Sequence, residues 1–430
     1  MASFKIFILT GIIAVVILLP SCTKDYPNPN QPTFEEVYNS ERAVTAIAGG
    51  LQRVYTAGAA SALYALVDAN GFTTGELILR NAGNVPELQL STGGSAVDAA
   101  NTVLLNVWTK SNKIIFDADS VISFANRLPD KSYASGLIGF ASIFKALSLG
   151  NMSMLWESVP DTTGLNVNFI DRIEGFNKAV AVIDYAIAAY FANPPNTQVT
   201  GRLPSDVNII NTLRALKARY HLFAGNYQAA LDATDSVALT TSSVISFDAI
   251  TLNPVFESAT STNNVYQPVD STMGLPADLA PDLSDQRVPF YIGINANILP
   301  RYRIKGFYAS GSTKVPFVLP GEVLLIKAEA LARLDRLPDA LIALNEVVTK
   351  EPADDIYGVG AGLSPFVGTT KDEILTEIYR QRCIELFMSG MKLEDMRRFG
   401  RPVEERKRNF FPYPFAESDN NPNTPENPEF

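Results

Sequence analysis

Apolar side chains recur every three or four positions along most of the chain, and this spacing predicts a mainly helical protein. The first run includes Val44, Leu51 and Tyr55, after a possible capping box at Thr33–Glu36. Leu128-Pro129-Asp130 interrupts the apolar pattern and predicts the end of a long helix. The later runs predict helices over about residues 99–126, 135–157 and 176–190.

Two segments farther along the chain share one pattern of small residues. Ala218 and Ala230 form the first pair, and Ala328 and Ala340 form the second, each twelve positions apart. Small residues at these points let two antiparallel helices approach closely, and the pattern resembles the tetratricopeptide hairpin. Because the copies lie 110 residues apart rather than about 34, we expect helical hairpins in a frame and not an uninterrupted solenoid.

Two stretches lack this helical pattern. The first covers about residues 68–100 and is rich in Gly, Asn and Thr, and the second covers about residues 242–320 and is rich in Pro, Asn, Ser and Thr. Both predict loops and short strands inserted into the helical frame. Long irregular segments in a folded protein are usually functional, so these insertions are the places to look for a binding site.

The N-terminus carries an export pattern. Lys5 precedes 14 largely apolar residues, 6–19, which is shorter than the about 20 needed to span a bilayer. Leu19-Pro20-Ser21-Cys22 follows and resembles the bacterial lipobox. We therefore expect a signal peptide over residues 1–21, lipidation of Cys22, a tether over residues 22–33 and a single body over residues 34–430. The alternative is a plain secretory signal in which Cys22 is incidental. No later segment is expected to span a membrane.

Composition narrows the chemistry further. The net charge is −10 with a pI near 4.9, which argues against nucleic-acid binding because that binding depends on clustered cations. A single histidine, His221, and two cysteines, Cys22 and Cys383, exclude His-His and cysteine-ligated zinc motifs. No phosphate-binding loop is present, so no cofactor or metal is expected. We expect Cys383, Trp108 and Trp156 to be packing residues and His221 to be a packing or capping residue.

The C-terminal region carries the most specific pattern. Arg382-x-x-Glu385-Leu386 is followed by Gly390-x-Lys392-x-x-Asp395-Met396-x-Arg398-x-Gly400, and helical spacing predicts local ion pairs from Arg382 to Glu385 and from Asp395 to Arg398. These residues resemble the C-terminal signature of the SusD/RagB family of Bacteroidota outer-membrane lipoproteins. Three other blocks have the same resemblance: residues 320–330, residues 216–227, and Phe411-Pro412-Tyr413-Pro414 with Glu417 and Asn421.

Two positions depart from the family pattern. Ser389 replaces the glutamate usual before the glycine, and Lys392 replaces the usual arginine. Because lysine cannot form the bidentate fork of a guanidinium, we expect a weaker buried pairing with carboxylates at this point and a divergent branch of the family.

The resemblance implies a SusD-like α fold and a role in nutrient uptake. Members of this family bind glycans or other oligomers, including peptides, at the cell surface and pair with a SusC-like TonB-dependent β-barrel transporter. The resemblance therefore implies a non-catalytic protein that is lipid-anchored in the outer membrane and faces the exterior. Two alternatives stay open: a membrane-tethered scaffold that binds proteins through its tetratricopeptide-like hairpins, and a surface glycoside hydrolase.

A glycan site needs exposed aromatic rings for the C–H face of a sugar, beside amides and charges that hydrogen-bond its hydroxyls. The candidates lie in or next to the two insertions: Phe72, Arg80, Asn81, Tyr266, Tyr302, Arg303 and Tyr308. For hydrolysis, two carboxylates must face each other about 5–9.5 Å apart. The adjacent pairs Asp354-Asp355 and Glu394-Asp395 do not face each other on a helix, so we expect them on a solvated surface.

Overall fold

The computed structural model describes residues 40–299 and 301–430, and it confirms a mainly helical fold. The expected signal peptide, Cys22, the tether and the Thr33–Glu36 box lie outside these residues. The helices in chain order are α1 (Glu41–Thr56), α2 (Ala62–Thr73), α3 (Val85–Thr92), α4 (Thr102–Arg127), α5 (Lys131–Leu155), α6 (Arg172–Ala192), α7 (Thr197–Thr200), α8 (Ile209–Phe223), α9 (Tyr227–Thr234), α10 (Arg287–Tyr291), α11 (Pro320–Arg333), α12 (Leu337–Val348), α13 (Lys371–Glu385), α14 (Lys392–Arg398) and α15 (Phe415–Ser418).

The short strands form four antiparallel pairs among the described residues. They are β1 (Leu77–Leu79), β2 (Ser158–Pro160), β3 (Phe169–Asp171), β4 (Val244–Ile245), β5 (Tyr266–Pro268), β6 (Ile292–Ile294), β7 (Tyr302–Ile304) and β8 (Val315–Pro316). The pairs are β1–β5, β2–β3, β4–β8 and β6–β7. The second insertion consists mainly of loops and short strands, as the sequence predicts, but it also contains the short helix α10. The first insertion is more regular than predicted, since α2 continues to Thr73 and α3 covers Val85–Thr92.

Helix α5 is the centre of the core and packs against α4, α6 and α8. Asp130 caps its first turn by accepting a hydrogen bond from the Tyr133 N–H at 2.9 Å. Gly150 lets α8 approach closely, because a Cβ there would lie 2.3 Å from the ring of Tyr220. In length and apolar composition α5 could span a membrane, contrary to the expectation that no such segment follows the signal region. In the folded protein, however, the helix is almost entirely buried by its neighbours.

Both predicted hairpins are confirmed, as α8–α9 and α11–α12. In each hairpin the two helices pack against each other. Ala218 and Ala230 are fully buried in the first hairpin, and Ala328 and Ala340 are fully buried in the second. Helix α9 of the first hairpin also packs against α11 of the second, so the two hairpins are adjacent in space despite their separation in sequence. The second insertion lies in the segment that connects α9 of the first hairpin to α11 of the second.

The C-terminal signature forms a buried charge cluster between α11, α13 and α14. Arg382 forms a bidentate ion pair with Asp395, with Nε–Oδ2 and Nη2–Oδ1 distances of 3.0 Å each. Arg398 bridges Asp395 at 2.8 Å and Glu329 at 2.7 Å. The predicted pair from Asp395 to Arg398 is confirmed. The predicted pair from Arg382 to Glu385 is wrong, because the tertiary fold offers Arg382 the better-oriented carboxylate of Asp395.

Glu385 belongs instead to a second network, which anchors the second insertion. Its carboxylate accepts from Arg287 and from Lys350, at 3.0 Å each, and Arg287 also binds Asp285 at 2.7 Å. Arg287 is fully buried. Removing one member of such a network leaves buried charges unpaired, so the network specifies how the insertion docks on α13.

The expectation that the acidic pairs lie on a solvated surface is wrong for three of their four residues. Glu394 and Asp395 are each 1% exposed, and they pair with arginines. Asp355 is buried against Lys350, whereas Asp354 is exposed. The cations that pair with them are partly local, such as Arg398 and Lys350, and partly from other elements, such as Arg382.

Of the four residues expected in packing roles, Trp108, Trp156 and Cys383 are buried and His221 is half-buried. Trp108 and Trp156 are buried, with ring centroids 4.8 Å apart. Cys383 is buried as well, and burial raises the pKa of its thiol to about 12, which leaves it unreactive at neutral pH. His221 is half-buried near the end of α8, and partial burial lowers the pKa of its imidazole.

Candidate functional site

Strands β1 and β5 join the two insertions to each other. Leu77 pairs with Pro268, Ile78 with Gln267 and Leu79 with Tyr266. One more backbone hydrogen bond extends the ladder at each end, from the Arg80 N–H to the Val265 carbonyl at 2.8 Å and from the Val269 N–H to the Glu76 carbonyl at 3.0 Å. Segments almost 190 residues apart in sequence therefore form one surface.

Gln267 connects this pair to the next one. Its side chain is fully buried, and its Oε1 accepts a hydrogen bond from the Ile304 N–H of β7 at 3.0 Å. The chain also passes closely at Gly274, where φ is +72° and a Cβ would lie 2.5 Å from the Gly75 carbonyl oxygen. Only glycine fits such an approach with that backbone conformation. Neither Gln267 nor Gly274 was singled out in the sequence, since the reason for each lies in a distant segment.

We use the term insertion face for the surface formed by residues 77–92 of the first insertion and residues 292–304 of the second, residue 300 not being described. It carries six exposed apolar side chains: Ile78, Val85, Leu88, Ile294, Ile298 and Leu299. Arg80 and Asn81 are exposed on the first insertion. Tyr302 is half-buried and pairs with Ile294, and opposed side chains of an antiparallel pair share one face of the ladder.

The polar groups of the insertion face are largely uncommitted. Within the described residues, the Arg80 guanidinium makes no ion pair and no hydrogen bond. Arg303 donates only to two carbonyls of its own loop, those of Tyr302 and Ile298, at 3.2 Å each. Asn81 accepts from the Gly83 N–H at 2.9 Å, which leaves its amide N–H groups free to donate. Four of the seven candidate residues, Arg80, Asn81, Tyr302 and Arg303, thus belong to this face.

The structure places the other three candidates in the interior. Phe72 and Tyr266 are fully buried, with edge-to-face rings whose centroids lie 5.6 Å apart. Tyr308 is 6% exposed, and its hydroxyl donates to the Met388 carbonyl at 3.1 Å. Phe72 and Tyr266 offer no open face to a ligand, and Tyr308 lines a separate cavity with Tyr55 and Phe307. A composition-based reading could not separate these three candidates from Tyr302, because all four occur in similar loop-rich sequence.

Glu76 directly precedes β1, Lys392 begins α14, and both side chains are buried. The Lys392 Nζ donates to the carbonyls of Met273 and Gly274, at 3.1 and 2.9 Å. The lysine that departs from the family pattern therefore holds the second insertion through backbone oxygens, whereas the expected buried guanidinium–carboxylate pairing is made by Arg382. Burial raises the pKa of Glu76 to about 7, while the nearby Lys392 ammonium acts to lower it.

The chemistry of the insertion face suits an extended ligand with alternating apolar and polar groups. Exposed isoleucine and leucine side chains and the half-buried Tyr302 ring can contact the C–H face of a sugar ring, and free guanidinium and amide groups can donate hydrogen bonds to hydroxyls. Within residues 40–299 and 301–430, no group of three His, Cys, Asp or Glu residues is arranged to hold a metal ion.

Comparison with known proteins gives a family match in the C-terminal region. Residues 320–430, which contain the buried charge cluster and the closing proline-rich segment, match the SusD family. A search of curated proteins finds no match.

Solved structures resemble nearly the whole chain. A SusD superfamily protein from Bacteroides vulgatus is 13% identical, with a TM-score of 0.67, and the match covers 90% of this chain and 99% of that one. A SusD-like carbohydrate-binding protein from Bacteroides fragilis is 14% identical over 86% of this chain and 88% of its own, with a TM-score of 0.66. A laminarin-binding SusD-like protein is 14% identical over 90% and 98%, with a TM-score of 0.63. At these identities the likeness establishes the fold.

Proposed function

We propose that the chain is a member of the SusD/RagB family and a cell-surface lipoprotein that binds nutrient oligomers and delivers them to a SusC-like TonB-dependent transporter; the family match over residues 320–430 and the shared fold support this. Glycans are the proposed ligand class, and Cys22 is the proposed point of lipid attachment to the outer membrane. The observation that carries the proposal is the insertion face, where two distant insertions present uncommitted polar groups beside exposed apolar side chains.

The rigidity of the insertion face supports a binding role. Its strands β1, β6 and β7 are held by the β1–β5 and β6–β7 ladders and by buried Gln267, and Lys392 holds the nearby Met273 and Gly274 carbonyls of the second insertion. A ligand-binding surface that is already ordered loses less conformational entropy when the ligand binds. Side chains on these strands can therefore contact a ligand without prior ordering of the strands.

A non-catalytic role is part of the proposal. The clustered carboxylates of the C-terminal region pair with arginine or lysine: Glu329 and Asp395 with Arg398, and Glu385 with Arg287. A general acid in glycoside hydrolysis needs access to the sugar, and buried carboxylates that are paired with cations lack that access. This supports a binding protein over the alternative of a hydrolase.

Binding at the insertion face is tested by titrating the purified protein with neutral oligosaccharides in a calorimeter. We expect Arg80→Ala and Tyr302→Ala each to weaken binding by about tenfold, since each removes a contact of roughly 1–1.5 kcal/mol. Arg42→Ala and Tyr185→Ala change an exposed arginine and an exposed tyrosine elsewhere on the surface and are the matched controls. Equal affinities for all five proteins would exclude the insertion face as the site.

The transport role has a separate test. Gentle detergent extraction of the tagged, natively anchored protein, followed by mass spectrometry, should recover a stoichiometric TonB-dependent barrel. Cys22→Ala should release the protein from the outer membrane, and its retention there would contradict lipid anchoring. Recovery of soluble proteins without a barrel would favour the alternative of a scaffold that uses the adjacent α8–α9 and α11–α12 hairpins.

A further inference from the structure

An open cleft lies between α4, α5 and α6, and none of its lining residues belongs to the insertion face. The turn that links β2 to β3, residues 161–168, covers one side of it and is called the flap here. The cavity volume of the cleft is about 410 Å³, which lies within the range of about 300–1,000 Å³ typical of small-molecule sites. Its floor is apolar and consists of Ile115, Leu149, Met152 and Val159.

The rim carries two ion pairs that bridge neighbouring elements. Lys145 on α5 donates to Asp119 on α4, and Lys178 on α6 donates to both the carboxylate and the backbone carbonyl of Asp161 on the flap. All four side chains are partly exposed and line the cleft. An ammonium has three N–H donors and a carboxylate has two acceptor oxygens, so each pair keeps free capacity for a ligand.

The charge balance of the rim selects the class of ligand. Two cations and two anions cancel, so neither an anion nor a metal ion finds an unpaired counter-charge. A ligand with adjacent hydroxyl groups fits better, because each hydroxyl can accept from lysine and donate to aspartate at the same time. Thr162 and Thr163 on the flap add two hydroxyl groups without hydrogen-bond partners among the described residues.

The C-terminal segment holds the flap in place. The flap closes on itself by a hydrogen bond from the Asp161 N–H to the Asn168 carbonyl at 2.8 Å. Asn421 donates to the Val167 carbonyl at 3.0 Å, and Asn423 donates to the Asn166 carbonyl at 2.9 Å. The cleft therefore has a fixed roof, and the side chain of Leu165 at its tip is 90% exposed.

The cleft continues past Asn112 toward Trp108. Asn112, Pro160, Thr162 and Thr163 line both parts, so the two parts form one groove. Glu417 of the C-terminal segment accepts from the Trp108 Nε1–H at 3.1 Å and fixes the indole at the inner end. The chain has two tryptophans, and Trp156 packs directly against Trp108. Tryptophan fluorescence therefore reports on this groove and not on the insertion face.

We propose that the flap cleft is a second carbohydrate-binding site, which takes one or two units of a neutral oligosaccharide, with the C–H face of a ring against the apolar floor and the hydroxyls against the two Lys–Asp pairs. The proposal rests on the proposed glycan-binding function and adds to it a second point of attachment for the same chain. Two sites on one oligomer raise the overall affinity without new contacts at either site.

The test follows tryptophan fluorescence while gluco-, galacto-, manno- and xylo-oligosaccharides of two to six units are added. Ala181 is an exposed residue of α6 that lines the cleft, and Ala181→Phe blocks the opening from a surface position. Ala188→Phe makes the same change two turns along the same helix face, outside the cleft, and is the control. We expect a saturable signal for the wild type and Ala188→Phe, and at least tenfold weaker binding for Ala181→Phe. Thr163→Val, which is nearly isosteric, should weaken binding in the same assay.

The outcomes separate this inference from the proposed function. If calorimetry shows glycan binding that depends on Arg80 and Tyr302 while fluorescence stays unchanged with every oligosaccharide, the flap-cleft proposal is overturned and the insertion face stands. Equal fluorescence titrations of Ala181→Phe and Ala188→Phe would overturn it as well. A fluorescence signal lost only in Ala181→Phe and Thr163→Val, without a co-purifying barrel, would support the cleft and contradict the transport role.

Discussion

The buried Glu76 carboxyl makes the free energy of unfolding depend on pH, and Glu76→Gln tests this dependence. The residue directly precedes β1, its side chain is 1% exposed, and its Oε1 accepts from the Met388 N–H at 3.4 Å. Burial raises the pKa of its carboxyl from 4.5 to about 7. Glutamine has the same shape, keeps an oxygen for the Met388 N–H and carries no charge at any pH.

The sign of the effect follows from proton linkage. Below pH 4.5 the Glu76 carboxyl is protonated in both the folded and the unfolded chain, so its ionisation has no effect on stability there. Between pH 4.5 and about 7 the unfolded chain loses the proton and the folded chain retains it, so the folded state becomes less stable as pH rises. At about 1.4 kcal/mol per pKa unit, the full loss is roughly 3 kcal/mol.

The assay is urea denaturation of the wild type and Glu76→Gln at several values between pH 4.5 and pH 8. We expect the variant to gain roughly 3 kcal/mol relative to the wild type across this range, whatever the offset at pH 4.5. Asp68 has a carboxyl pKa raised by burial and by the Glu87 carboxylate, but it contributes equally to both proteins. A difference between the two proteins that does not change with pH would refute the reasoning.

Three further predictions concern single contacts. Arg382→Lys should lower the free energy of unfolding by roughly 2–3 kcal/mol, because lysine cannot span both oxygens of Asp395, and Arg42→Lys in the same denaturation series should have no effect. Gly274→Ala should cost more than about 1 kcal/mol, since φ is +72° and the new Cβ meets the Gly75 carbonyl, whereas Gly225→Ala, also at positive φ but in open space, should cost less. Glu373 accepts from the backbone N–H groups of Thr369 and Thr370, which lower its pKa to about 2, so the loss of thermal stability in Glu373→Ala should be present at pH 7 and disappear as pH falls toward 2.

The helical frame could be predicted because its signals are local. The period of apolar residues located α4, α5 and α6 to within a few residues, and paired alanines located both hairpins. Ion pairs could be predicted from helical spacing in only one of two cases. Asp395 and Arg398 lie one turn apart on a single helix and were correctly paired, whereas Arg382 and Glu385 have the same spacing and bind partners from other elements.

The candidate site was predictable as a region and not as a set of side chains. Loop-rich composition pointed to both insertions, and the structure joins them through β1 and β5. The same composition could not tell Tyr302, which is partly open, from Tyr266, which is fully buried. Burial of a loop residue depends on what packs over it, and for Tyr266 that includes Phe72 from almost 200 positions earlier.

The sequence by itself determined the mainly helical frame, the two hairpins, the place of the insertions and the absence of zinc-binding motifs, since each depends on residue type and short-range spacing. Tertiary structure alone decided which carboxylates are paired, which aromatic rings are open, and that a flap held by Asn421 and Asn423 roofs a second cleft. The physical reason is that side-chain burial and most of this charge pairing depend on contacts between different elements of the fold, and a one-dimensional pattern carries no record of those contacts.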